Sequence, residues 1–262
     1  MKKYGFTGKS KKWGNRTLLQ IVALRDFGDV KAGEVGGWIE KESNLSHEGD
    51  CWVYDNGIVH GNGEVYDNGK VHGNGEVYDN GKVYGNGRVS GNGKVYDNGE
   101  VYGHGLVNGN GIVFGNGAVY GNGTVCCNGI VRGDGVVRGD GVVCGNGEVH
   151  DNGLVSGNGK VYGNGRVCGN GRVKTGKIIG RVNRPYKDIF QYQCKNRMLT
   201  AILTEDDEIL YTIGCQVNIT KEKFIERIYN EGGGLKKNPH RQEYLAIIEC
   251  VEMYFNKVGV KK

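Results

Sequence analysis

Residues 83–101 read V-Y-G-N-G-R-V-S-G-N-G-K-V-Y-D-N-G-E-V: three six-residue units, each opening on valine, closed by the valine of the next. Working outward from this stretch, valine recurs every sixth residue from Val53 to Val173 without a miss, twenty-one times in all. The third place of the unit is Gly or Asp, with Cys127 the one exception; the fourth is Asn, Asp or His until Thr175; the fifth is Gly. An α-helix repeats every 3.6 residues and a strand every two, so a period of six fits neither alone. It fits a coil of three short strands and three tight corners, eighteen residues per turn. Each valine then points inward together with the small residue two places before it. Asn or Asp followed by Gly supplies the corner, because these residues tolerate positive φ. Seven such coils, about 4.8 Å each, make a prism about 34 Å long. A stack of this kind touches only its neighbours and needs its ends covered.

The flanks depart from the period. Tyr4-Gly5-Phe6 and Leu18 to Leu24 read as short strands. Ile39 and Leu45 are already six apart, so an irregular first coil begins near Trp38 and slips by two before Val53. Beyond Val173 the period fails. Asp188 to Cys194, Arg197 to Leu203 and Ile209 to Val217 read as strands, and Thr220 caps a helix over 221–230 that Gly232-Gly233-Gly234 ends. Asn238-Pro239 opens a second helix, whose stripe of Tyr244, Leu245, Ile248, Val251 and Phe255 packs on the sheet. The chain is therefore expected to be mainly β. Its parts are an N-terminal β cap with an irregular first coil (1–52), the repeat body (53–177) and a small C-terminal α+β domain (178–262).

The unit V-x-G-N-G-x, together with LRDFGDVKAGEVGGWIEKESNLSHEGDCWVY from Leu24 to Tyr54, resembles uncharacterised hexapeptide-repeat proteins often carried by phages and mobile elements of Gram-positive bacteria. The resemblance runs along the chain and implies a left-handed parallel β-helix. It also implies a phage or prophage accessory protein, one that inhibits a host defence protein by direct binding. This chain uses Gly at the inward small position where such proteins commonly have Ala, which gives up a methyl per repeat in the core.

Charge is unevenly spread. Seven basic residues, Lys2 to Arg25, precede the first acid, Asp26; residues 53–177 hold eleven basic and eleven acidic side chains; the tail from Ile178 sums to +3. A neutral body is neither a nucleic-acid mimic nor a phosphate-binding stripe, which needs clustered cations. Nucleic acid is left only to the basic N-terminus, itself read as a solvated flank. No apolar run of eighteen residues or secretory signal is found, and eight cysteines without C-x-x-C spacing suit reduced thiols, so a cytoplasmic place in a bacterial host is expected.

Many hexapeptide β-helices are acyltransferases, with a histidine as general base. The candidates are His60, His72, His104 and His150. His104 replaces a corner Asn. The others sit after valine, where Tyr, Ser, Cys and Arg also occur, as on a tolerant surface. No insertion breaks the valine period to wall off a substrate. No catalytic or cofactor-binding residue is expected, and the chain reads as a non-enzymatic scaffold or binding protein, with an acyltransferase-like enzyme as the alternative. Cys126 and Cys144, eighteen apart, should stack with Cys127 nearby. Two stacked thiols fall short of the four ligands of a tetrahedral site, so no metal site is expected either.

Outward positions eighteen apart form columns. One is Tyr66, Tyr84, Tyr102 and Tyr120, then Arg138; others are charge ladders such as Glu64-Lys82-Glu100 and Glu76-Lys94. The place before valine then turns apolar at Leu106, Ile112, Ala118, Ile130, Val136, Val142 and Leu154. The tyrosine ladder and a contiguous apolar patch are the candidate interface, for a protein partner or for self-association as a dimer or trimer.

Overall fold

A computed structural model describes residues 2–163, 165–169, 171–173, 177–178, 181–182, 186–194, 197–204, 208–213, 216–230 and 241–258. The repeat is a parallel β-solenoid of about seven coils. Twenty-one two-residue strands, from Trp52–Val53 to Arg172–Val173, each carry one of the periodic valines. Through the repeat the strands pair in parallel with those eighteen residues on, as Val77 with Val95 and Val95 with Val113. Three faces result. The first carries Val53, Val71 and Val89; the second Val59, Val77 and Val95; the third Val65, Val83 and Val101. The valine columns are buried throughout and merge into one continuous core.

Backbone hydrogen bonds run from coil to coil. Tyr84 N–H donates to Val101 O (3.0 Å), Asn86 N–H to Gly103 O (2.7 Å) and Arg88 N–H to Gly105 O (2.9 Å). Within the corner, Gly87 N–H closes on Tyr84 O at 2.9 Å. Positive φ falls on the third place, Gly85 or Asp97, and on neither the Asn nor the Gly that follows. The Asn does other work: Asn56, Asn74, Asn92, Asn110 and Asn128 pass amide hydrogen bonds up one corner at 3.0–3.4 Å. The inward Gly does not give up a methyl. A Cβ on Gly87 would lie 2.3 Å from Val101 O, so in this solenoid the coils leave that place no room for alanine.

The cap differs from the short strands expected. β1 (Tyr4–Trp13) and β2 (Arg16–Ala23) form a long antiparallel hairpin, and β3 (Val35–Ile39) joins β2 to the second face. Ile39 pairs with Val59 and Leu45 with Val65, twenty residues apart rather than eighteen, which is the slip of two read from the sequence. The basic flank is not solvated throughout. Lys3 is fully buried, its ammonium donating to Cys51 O (2.9 Å) and Gly49 O (3.2 Å) and lying 4.8 Å from the Phe27 ring centre.

At the other end, parallel pairing continues off-period to Arg181–Val182. A four-stranded antiparallel sheet follows, then helices Lys221–Asn230 and Gln242–Val258. Ile202 and Leu210 join the solenoid core, whereas Leu199, Tyr211 and Ile213 pack against Phe224, Ile248, Val251 and Phe255. Among the described residues no helix is long and apolar enough to cross a membrane.

Candidate active site under the N-terminal hairpin

The second face carries an aromatic column after its valines: His60, Tyr78, Tyr96 and Phe114, stacked at 4.8–5.1 Å. Before Ile39 and the valines of this face stand Trp38, Ile58, Glu76, Lys94, Ile112 and Ile130. Glu76 reaches diagonally back one coil and accepts from His60 Nε2 at 3.1 Å. Lys94 approaches its other oxygen at 2.9 Å. The hairpin supplies the third donor: Trp13, at the end of β1, bends over this face and its indole N–H donates to Glu76 at 3.1 Å. Lys11 lies between the Trp38 and Trp13 rings, 4.4 and 5.6 Å from their centres. At the base, Arg16 grips Glu40 (2.7 Å), and Glu40 accepts the Gly61 N–H at 2.7 Å.

These contacts overturn the reading of His60 as one member of a tolerant surface column. Its exposure is 8%, and that of Glu76 is 7%. Burial pushes the Glu76 carboxyl up, but hydrogen bonds from His60, Lys94 and Trp13 and the charge of Lys94 outweigh it and hold the group down at about 2. An ionised carboxylate can only accept, so His60 presents Nε2–H to it. His60 Nδ1 is buried and has no hydrogen-bond partner among the described residues. An imidazole held by a carboxylate through one nitrogen, with the other unengaged, can serve as a base with its orienting group.

The remaining histidines are placed otherwise. His72 stacks on Tyr54 at 4.1 Å, and burial, with Lys70 nearby, lowers its pKa. His104 is exposed at a corner and interrupts an asparagine ladder. His150 Nδ1 lies 3.1 Å from Asp151. Enclosure, expected from an insertion that the repeat lacks, comes from the cap instead. The hairpin bends over the second face, and a separate cavity of about 300 Å³ opens where Gly28, Asp29 and Asp50 meet Asn68, Lys70, Asn86 and Arg88. The column His60, Tyr78, Tyr96, Phe114 was available at eighteen-residue spacing; the reach of Trp13 to Glu76 had no sequence signal.

The candidate interface residues divide among the faces. Tyr66, Tyr84, Tyr102 and Tyr120 form one ladder on the third face, with ring centres 4.7–4.9 Å apart and planes within 10°. The apolar residues do not make one contiguous patch. Leu106 and Val142 lie on the first face with Thr124 between them, Ile112 and Ile130 on the second, and Ala118, Val136 and Leu154 on the third. They form a half-buried belt around the rod. The cause is the period itself, since residues six or twelve apart fall on different faces.

No protein-family model matches the chain. A stretch of 45 residues, 17% of the chain, is 51% identical to a protein of Escherichia coli (strain K12) named "Uncharacterized acetyltransferase YdcK". The match spans 14% of that protein's length. This likeness to a named acetyltransferase overturns the expectation of a non-enzyme.

Proposed function

We propose that the chain is an acyltransferase-like enzyme in which His60, oriented by Glu76, takes the proton of an acceptor hydroxyl or amine. The observation that carries this reading is the buried His60–Glu76 pair with its unengaged Nδ1. The likeness to an acetyltransferase supports it. As the acceptor atom attacks the thioester carbonyl of an acyl-CoA, its proton passes to Nδ1. The carbon–sulfur bond breaks, and the same proton returns to the leaving thiolate. Because Nδ1 has no exposed surface, a neighbouring side chain must move aside for the acceptor.

The test is acetyl transfer from acetyl-CoA to a panel of hydroxyl and amine acceptors, with products followed by mass spectrometry. Turnover by the native chain should fall about 100-fold or more in His60→Gln, the range expected for loss of a general base. Turnover equal in the two proteins, or none by either, overturns the reading.

A second reading concerns the rod's middle. The tyrosine ladder on the third face is the surface we assign to a macromolecular partner, since stacked tyrosines offer large amphipathic area at low entropic cost. Inhibition of a host protein would act through this ladder. Partner capture lost on Tyr84→Lys with Tyr102→Lys, while the fold survives, is the expected result. Capture unaffected by both changes rejects the ladder as the contact.

A further inference from the structure

We propose that Cys126, Cys127 and Cys144 form a three-thiolate site for one thiophilic metal ion, zinc(II) with the fourth position open to solvent. Cys126 and Cys144 follow valines on the first face and stack one coil apart. Cys127 stands at the adjoining corner, and its Sγ lies 2.9 Å from that of Cys144. All three sulfurs fall within 4.8 Å of one another. Zinc–sulfur bonds of about 2.3 Å at tetrahedral angles set sulfurs about 3.8 Å apart, inside the span of these distances. No disulfide joins them.

The corner supplies a second, independent observation. At the third place of the repeat, every other described residue with positive φ is Gly or Asp, and Cys127 alone departs, with φ of 56°. A side chain other than Gly, Asn or Asp in this region costs on the order of 1 kcal/mol. Glycine takes this place in the next coil, at Gly145, without that cost. What the cysteine gains in return is its position beside two further thiols.

A divalent ion takes the place of the thiol protons, and binding therefore releases protons and strengthens as pH rises. Soft sulfur donors and an open coordination position suit zinc(II) among common ions and exclude calcium and magnesium, which require oxygen.

The experiment titrates the reduced full chain anaerobically with cadmium(II), a spectroscopic stand-in for zinc(II). The expected result is a thiolate-to-metal charge-transfer band that saturates at one ion per chain. Cys127→Gly installs the residue that other corners use. It should leave the far-ultraviolet circular dichroism unchanged, abolish the band and weaken binding by at least about 100-fold, more than loss of an outer-shell partner costs. Cys250→Ser, on the Gln242–Val258 helix, should change neither. The proposal is overturned if the reduced chain gives no band, if the band survives Cys127→Gly, or if Cys250→Ser removes it equally. Recovery of Cys127 and Cys144 as a disulfide with no band would identify the cluster as a redox pair instead.

Discussion

Glu76 and Glu148 occupy the same column of the second face, four coils apart, and the repeat gives them the same neighbours. Each reaches back sixteen residues, to His60 at 3.1 Å or to Arg132 at 2.6 Å. Each also meets a cation eighteen residues ahead, Lys94 at 2.9 Å or Arg166 at 3.3 Å. Glu100 makes the same backward reach to Tyr84, at 3.0 Å. The diagonal is thus a property of the solenoid and by itself implies no chemistry. What distinguishes the lower site is the cap: Trp13 donates to Glu76, and the His60 side chain is 10% exposed where that of Arg132 is 39%. A regular scaffold makes carboxylate ladders; a non-repeating hairpin turns one rung into an enclosed imidazole–carboxylate pair.

The comparison can be broken most forcefully at Glu76. Glu76→Ala strands the buried His60 and the Trp13 indole, and should destabilise the chain by about 3 kcal/mol in urea unfolding. The pH dependence follows from the same group. Its carboxyl sits at about 2 in the folded chain against an ordinary 4.5. The stabilisation is therefore complete above about pH 4.5 and is lost as pH falls towards about 2, and this slope should flatten in Glu76→Ala. Gly87→Ala tests what the repeat alone demands. It should cost about 2 kcal/mol, because the added carbon meets the Val101 carbonyl. Trp13→Ala removes the cap's contribution and makes the lower site resemble the upper one. A loss of about 1 kcal/mol is expected, since the ring is 42% exposed. The smallest effect belongs to Glu148→Ala, under about 1 kcal/mol, because Arg132 and Arg166 remain in solvent.

What could be read from the sequence was what the period determines. An unbroken spacing of six gave the inward valines, the eighteen-residue coil and the stacked tyrosines, because side chains at fixed spacing in a solenoid have fixed neighbours. The tail's second helix was legible for the same reason, from apolar residues at helical spacing that end in Val251 and Phe255. The corner was only half legible: Asn and Gly marked the turn, but positive φ fell one residue earlier, where Gly85 or Asp97 makes it tolerable. The burial of His60 was not legible, because its column alone carries no sign of the cap. Glu76, its partner, comes from the next coil and Trp13, which donates to Glu76, from the cap, and contacts between a repeating and a non-repeating segment leave no periodic trace.

Nitrogen-15 NMR of the His60 ring tests most directly whether the lower site holds a free base. Long-range proton–nitrogen correlations should place the ring hydrogen on Nε2 and leave Nδ1 bare. Loss of Glu76 should abolish that preference between the two nitrogens. A ring carrying hydrogen on Nδ1 would contradict the account, since no acceptor for an acyl-transfer proton would then remain beneath the hairpin.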